Sequence, residues 1–444
     1  MTDDTGDEYL HPNRDEDTGS ARISRRLLLA GSAAAGVAAT AGCSSDSGSR
    51  TTGTETGSDT GTGTTTDGQT APVTAADTVY VFNTGDRTMS LIDVESDSVV
   101  GTADLGLASS FPANQYAPGL TDAATSPLWL NVGRGVRAVA VGTLSAVASV
   151  ETGSGANWQE VTPDGAHLVV SAREPAHTQF RLDADPDSDS FGTVTGELDR
   201  TDEGGRGSNE GPGPCDVTIH PDGAYAYVPD LYGDTLTVVD VEAFEIARQI
   251  DVPPVVGPAG APWMGTAAPN GNTLLVEHNE GRRGTESIWD TSDPGAPQER
   301  VRLTSEDGLG SRPLTSEIGP DSAVGYVFTP GTNDVSVVDL EAGSVTERID
   351  LGGSAFVGTW GPNHEKLYVP VQTSNEVKVI DHERRSVTAT IPVGSRPYGA
   401  TAGTVRPSEA VVQSEPSPRE KLQRQLSDDG TTYCIGNCAC GHEL

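Results

Sequence analysis

Short alternating apolar runs, separated by turns rich in Gly, Pro, Asp and Asn, recur along most of this chain. Tyr227-Val228-Pro229, followed by Thr235-Leu236-Thr237-Val238-Val239-Asp240, returns as Tyr326-Val327-Phe328 with Val335-Ser336-Val337-Val338-Asp339. It returns again as Tyr368-Val369-Pro370 with Val377-Lys378-Val379-Ile380-Asp381, and the first copy is Tyr80-Val81-Phe82 with Thr88-Met89-Ser90-Leu91-Ile92-Asp93. Runs of this length and period are strands. A unit this small cannot bury its apolar face alone, so copies must stack on one another.

The stretch Pro214–Pro253 shows the unit in full. Asp216–Ile219, Tyr225–Val228, Thr235–Val239 and Ile246–Val252 read as four strands, with turn chemistry at His220-Pro221-Asp222-Gly223. An aspartate closing the third strand sets the register: Asp93, Asp183, Asp240, Asp290, Asp339 and Asp381, with Gly142 as the deviant copy. The spacing is that of propeller blades, about 40 to 50 residues. One longer step is read as an insertion over Asp185–Gly213. The expected fold is all-β: a seven-bladed β-propeller of four-stranded antiparallel blades. The first unit lacks an inner strand, and Arg396-Pro397-Tyr398-Gly399-Ala400-Thr401 begins a unit with no remainder. Pairing the two closes the ring and removes sheet edges.

These residues resemble the YVTN-family β-propeller repeat proteins. Pro221-Asp222-Gly223-Ala224-Tyr225-Ala226-Tyr227-Val228 and Pro397-Tyr398-Gly399 carry the likeness, which runs from about Val79 to Thr404. It implies a seven-bladed, extracytoplasmic ring and no particular reaction.

Charge and the N-terminal segment change the setting. Acidic residues number 64 against 28 basic ones, a formal charge of -36, and only Lys366, Lys378 and Lys421 are lysines. That excludes general nucleic-acid binding, which needs the opposite sign. Self-repulsion of this size is tolerable in molar salt, where the Debye length is about 3 Å, so the composition resembles that of an extreme halophile. Arg25-Arg26 ahead of the apolar run Leu27–Ala41 resembles a twin-arginine export signal. Thr40-Ala41-Gly42-Cys43 resembles a lipobox with Cys43 as the lipidated residue. The expected organisation is a signal peptide at 1–43, a Ser/Thr/Gly/Asp linker at 44–76, the propeller at 77–404 and a polar tail at 405–444. The protein is thus expected outside the cytoplasm, anchored to the outer face of the cytoplasmic membrane, with a protein or glycan as its possible partner.

Loops entering each inner strand, and those joining the second and third strands, converge on one mouth of a propeller. By register the first set supplies Trp158, Cys215, Trp263, Met264, Arg312, Phe356, Arg396 and Tyr398, and the second Arg173, His177, Tyr232, Glu277 and His278. Trp158, Cys215, Trp263, Arg312, Arg396, Tyr398 and His278 are the candidate ligand contacts. Arginine and aromatic side chains in an acidic protein suit an anionic or sugar-like ligand; the bland alternative is that they pack the mouth. Asp183–Asp189 alternates carboxylates but lacks the glycine and the final glutamate of a calcium loop. His220 and His364 are expected at the surface. Cys434, Cys438, Cys440 and His442 crowd the tail, a donor set that suits zinc or copper(I), a disulfide or redox use. Three functions stay open: a binding module, an oxidoreductase-like propeller using the tail cluster, and a lactonase-like hydrolase.

Overall fold

The computed structural model describes residues 72–106, 120–154, 156–207 and 209–414. The export and lipidation residues Arg25, Arg26 and Cys43, and the tail cluster Cys434, Cys438, Cys440 and His442, lie outside them.

Seven antiparallel sheets follow one another along the chain, and six of them have four strands. The fourth is typical: Thr218–Ile219 innermost, then Tyr225–Asp230, Thr235–Asp240 and Glu245–Asp251 outermost. In the second sheet three strands lie among the described residues, Pro127–Val132, Gly135–Ala140 and Ala146–Glu151. Almost no helix is present among the described residues; Glu409–Val412 is a single turn.

The first blade is sewn from both ends of the domain. Its inner strand is Pro397–Pro407, paired antiparallel with Val73–Asn83 so that Val79 faces Ala402 and Val81 faces Ala400. Val73 lies four residues before the expected domain start. Apolar clusters fill every gap between blades. Val79 and Val81 pack with Tyr368 and Val377 of blade seven, and Tyr80 and Met89 pack with Leu128 and Val139 of blade two. The ring is closed.

The repeated residues have structural duties. Each third-strand aspartate accepts a backbone N–H in the turn it opens: Asp93 from Ser96 at 2.9 Å, Asp240 from Ala243, Asp339 from Ala342 and Asp381 from Arg384, each at 2.8 Å. Such side chain to backbone bonds are why aspartate is favoured there. The repeated tyrosines are buried, and the hydroxyls of three of them reach the next blade, while that of Tyr80 donates to Val405 O in its own blade. Tyr227 donates to Pro294 O (3.1 Å) and Tyr368 to Asp97 Oδ1 (2.7 Å), while the Tyr326 hydroxyl lies 2.8 Å from His382 Nδ1.

Two details of register differ from expectation. Ala140, not Gly142, holds the strand-end position of the second unit, since Pro127 pairs with Ala140 as Thr78 pairs with Asp93. Gly142 lies two residues beyond, where a Cβ would come within 2.7 Å of Ala124. The segment Asp185–Gly213 is not wholly an insertion, because Val194–Asp199 is the outer strand of blade three. The remainder is anchored by Arg200, which is buried and bonds Asp230 of blade four at 2.8 and 2.9 Å.

Candidate functional site

The mouth is built from the entries of the inner strands. Four blades enter through a residue with positive φ followed by proline: Gly213 (69°), Ala261 (43°), Arg312 (60°) and Arg396 (51°). Glycine takes this conformation freely, whereas a residue with a Cβ is disfavoured there by roughly 1–2 kcal/mol. Two of the four positions nevertheless hold exposed arginines. The backbone N–H of Arg312 bonds the carbonyl of Arg283, which brings the exposed Arg282 and Arg283 loop of blade five beside the entry of blade six. Arg396 sits against Asn375, whose Oδ1 accepts its N–H at 2.8 Å.

Beneath this rim the mouth is filled. Trp158, Cys215, Trp263, Met264, Leu314, Phe356 and Tyr398, drawn from six blades, belong to one buried cluster. Phe356 meets Tyr398 edge-on, with ring centroids 5.3 Å apart. His278 is wholly buried, its ring nitrogens 3.0 Å from Gly260 O and 2.7 Å from Ser287 Oγ. In the equivalent place of the first blade, Asn83 bonds Ser90 at 2.9 Å, and in the fourth Asp230 accepts from Thr237 at 2.6 Å. His278 is therefore one form of a latch that several blades use. Of the seven candidate contacts, Trp158, Cys215, Trp263, Tyr398 and His278 shape the mouth from below, and Arg312 and Arg396 face solvent.

Sequence reasoning missed a set of buried carboxyls. Glu277 and Glu286 are direct cross-strand partners in blade five, and both are wholly buried. Sister blades place Pro229 and Leu236, or Phe328 and Val335, at these positions. Burial pushes both carboxyls well above the ordinary range, and the charge of Glu277 raises Glu286 further, against the pull of Arg302. Asp216 is raised by burial and by Glu160 and Glu277, although Gly265 and Val217 donate to it, each at 2.7 Å. The signal available in the sequence was the break in repeat chemistry, a pair of acids where blades one, four, six and seven are apolar and blades two and three carry the neutral polar Asn131, Ser171 and Gln179. Among the described residues no His/Cys/Asp/Glu group is arranged to hold a metal ion. The Asp183–Asp189 loop is knit by Ser188 and Ser190, each donating to Asp183 at 2.6 Å.

At the opposite end of the axis a cavity of about 390 Å³ is lined from five consecutive blades, among others by Glu160, Pro221, Pro269, Trp360 and His364. Two expectations are corrected here. His220 is buried rather than superficial, because its ring fills the space beside Gly271, with Nε2 2.9 Å from that carbonyl. His364 is half-buried in the cavity wall.

No protein-family model and no curated protein matches the sequence. Solved structures do. A periplasmic gluconolactonase from Pseudomonas aeruginosa is 16% identical, with a TM-score of 0.58, covering 73% of this chain and 98% of its own. A functionally unknown protein from Desulfotomaculum acetoxidans is 14% identical, with a TM-score of 0.56 and coverage of 75% and 100%. Hydrazine synthase from Kuenenia stuttgartiensis is 20% identical, with a TM-score of 0.50 and coverage of 65% and 90%. Identity this low carries the fold alone: the chain is a seven-bladed β-propeller with lactonase-like structural neighbours.

Proposed function

We propose that this chain is an extracytoplasmic, membrane-anchored binding module that takes an anionic ligand, such as a carboxylated glycan, at the arginine rim of its mouth. One observation carries the reading: Arg312 and Arg396 stand exposed at strained positions in a protein of net charge -36. The filled mouth supports binding over chemistry, since a rigid, packed floor holds the rim without exposing a nucleophile. Guanidinium groups bind carboxylates in paired, charge-assisted hydrogen bonds that carry geometric specificity beyond simple attraction, which favours them where salt screens charge. Anchoring rests on the Arg25-Arg26 and Cys43 signals, and the repeat resembles the YVTN unit.

Calorimetric titration at molar salt with an oligogalacturonate, and with its methyl ester as control, tests this. The acid should bind and the ester should not. Arg312→Gly together with Arg396→Gly should weaken binding at least tenfold, since charge-assisted hydrogen bonds contribute about 1.5–3 kcal/mol. The melting temperature should hold or rise, because glycine relieves the left-handed strain. Equal affinity for acid and ester, or none for either, would overturn the proposal.

A second reading, a lactonase-like hydrolase, is favoured by the likeness to the gluconolactonase and by Glu160, a carboxyl pushed up to about 8 by burial and lining an open cavity. Hydrolysis of glucono-δ-lactone above the spontaneous rate, abolished in Glu160→Gln, would select it.

A further inference from the structure

The cavity at the end opposite the mouth has its own chemistry. Pro163, Pro221, Pro269 and Pro320, from the same turn of four consecutive units, form its collar, and Ile219, Ile318 and Trp360 form much of its wall. Prolines carry no N–H, so the collar residues themselves offer no backbone donor to a ligand. The polar side chains in the lining are Glu160 and His364, together with Trp360, whose indole N–H is buried with no hydrogen-bond partner among the described residues. Glu160 is a departure from the repeat. The inner-strand residue paired at its level is Thr218, Thr266, Thr359 or Thr401 in four other blades. Blade six also has a glutamate there, Glu317, but it is wholly buried, whereas Glu160 keeps access to the cavity.

We propose that this cavity binds a neutral, ring-shaped apolar molecule bearing one carbonyl or hydroxyl oxygen, held by a hydrogen bond with the Glu160 carboxyl. The size is right, because ligand pockets run from about 300 to 1,000 Å³. The polarity is right as well. Burial pushes Glu160 up to about 8 and lowers His364, so both are uncharged at neutral pH. A cavity without charge, inside a protein of charge -36, selects against ions. Glu160 already accepts from Ile219 N–H at 2.8 Å through Oε2, which fixes the carboxyl and leaves its proton as the donor. The ionisable groups facing it are Asp216, itself held neutral by burial, and His364 across the cavity. This site is independent of the arginine rim.

The probe is 2-acetylnaphthalene, a neutral ketone that does not titrate, followed by tryptophan quenching or calorimetry on the whole protein. Saturable binding at micromolar concentration is expected, at least tenfold tighter than for naphthalene, which lacks the oxygen. Affinity should fall at least tenfold between pH 6 and pH 10 as Glu160 ionises, and Glu160→Gln should bind with no pH dependence. Ala267→Phe, which fills the cavity from an existing wall position, should abolish binding while leaving oligogalacturonate titration at the mouth unchanged. Equal affinity for naphthalene, binding that survives Ala267→Phe, or a flat pH profile in the wild type would each overturn the proposal.

Discussion

Ending the chain at Ser395 should prevent the propeller from folding to a monomeric, cooperatively melting state. The truncation removes the inner strand of blade one and with it the partner of Val73–Asn83. Val79, Tyr80, Val81 and Phe82 are at most 1% exposed in the intact ring, so their inner edge would be newly bared. Burial of a Val-sized side chain contributes about 1.5–3 kcal/mol, and Tyr398, Ala400, Ala402 and Val405 are lost together. That total approaches the whole net stability of a typical domain, about 5–15 kcal/mol. The unpaired ladder of the next strand would also template aggregation. Size-exclusion chromatography and circular dichroism at high salt check this. A monomeric product with an unchanged melting temperature would show that the last strand is an ornament.

Replacing Glu277 and Glu286 together with leucine should stabilise the protein and flatten its stability profile from weakly acidic to alkaline pH. Both acids are held protonated by burial, and Glu286 has no hydrogen-bond partner among the described residues. An unsatisfied buried polar group costs about 1–3 kcal/mol, so removing the pair should gain a few kcal/mol and several degrees in melting temperature. The pH effect follows from linkage. A carboxyl whose folded value lies above its unfolded value binds more protons when folded, so its contribution is full below the ordinary carboxylate range. It declines as pH rises through the folded value, about 8 for Glu277. The slope is at most about 1.4 kcal/mol per pH unit for each extra proton held. Wild type should therefore lose stability from weakly acidic to alkaline pH, and the double variant should lose much less. Thermal melts from pH 5 to pH 9 would expose a mistaken assignment if the two profiles ran parallel. Glu160 and Asp216 contribute with the same sign, so some slope will remain.

Architecture was legible in this sequence because each repeat states it in side chains with one duty apiece. Tyr227, Tyr326 and Tyr368 mark the second strands because each spans to the next blade, and Asp240, Asp339 and Asp381 mark turn openings because each caps a backbone N–H. Closure was legible because an orphan unit start at Arg396 complements a missing inner strand before Val79. The site was less legible. Register places Trp158, Trp263 and Tyr398 at the mouth, but register does not say whether an aromatic points at a ligand or at its neighbours. Here six blades converge, and their inner-strand residues pack on one another. Arg200 was hidden inside a polar stretch that reads as loop, although it is the buried partner of Asp230. Glu277 was visible only as one mouth residue. Its pairing with Glu286 emerges when the units are superposed and no other copy proves to carry an acid at either position.

Native-state hydrogen exchange on the intact chain at high salt tests ring closure most directly. Amides of Val73–Asn83 and Pro397–Pro407 that are bonded across the seam should exchange only through global opening, as slowly as those of Thr273–His278 in the middle of the ring. Exchange of the seam orders of magnitude faster than that reference would mean the two ends of the domain do not share a sheet, and the mouth they help to frame would lose its basis.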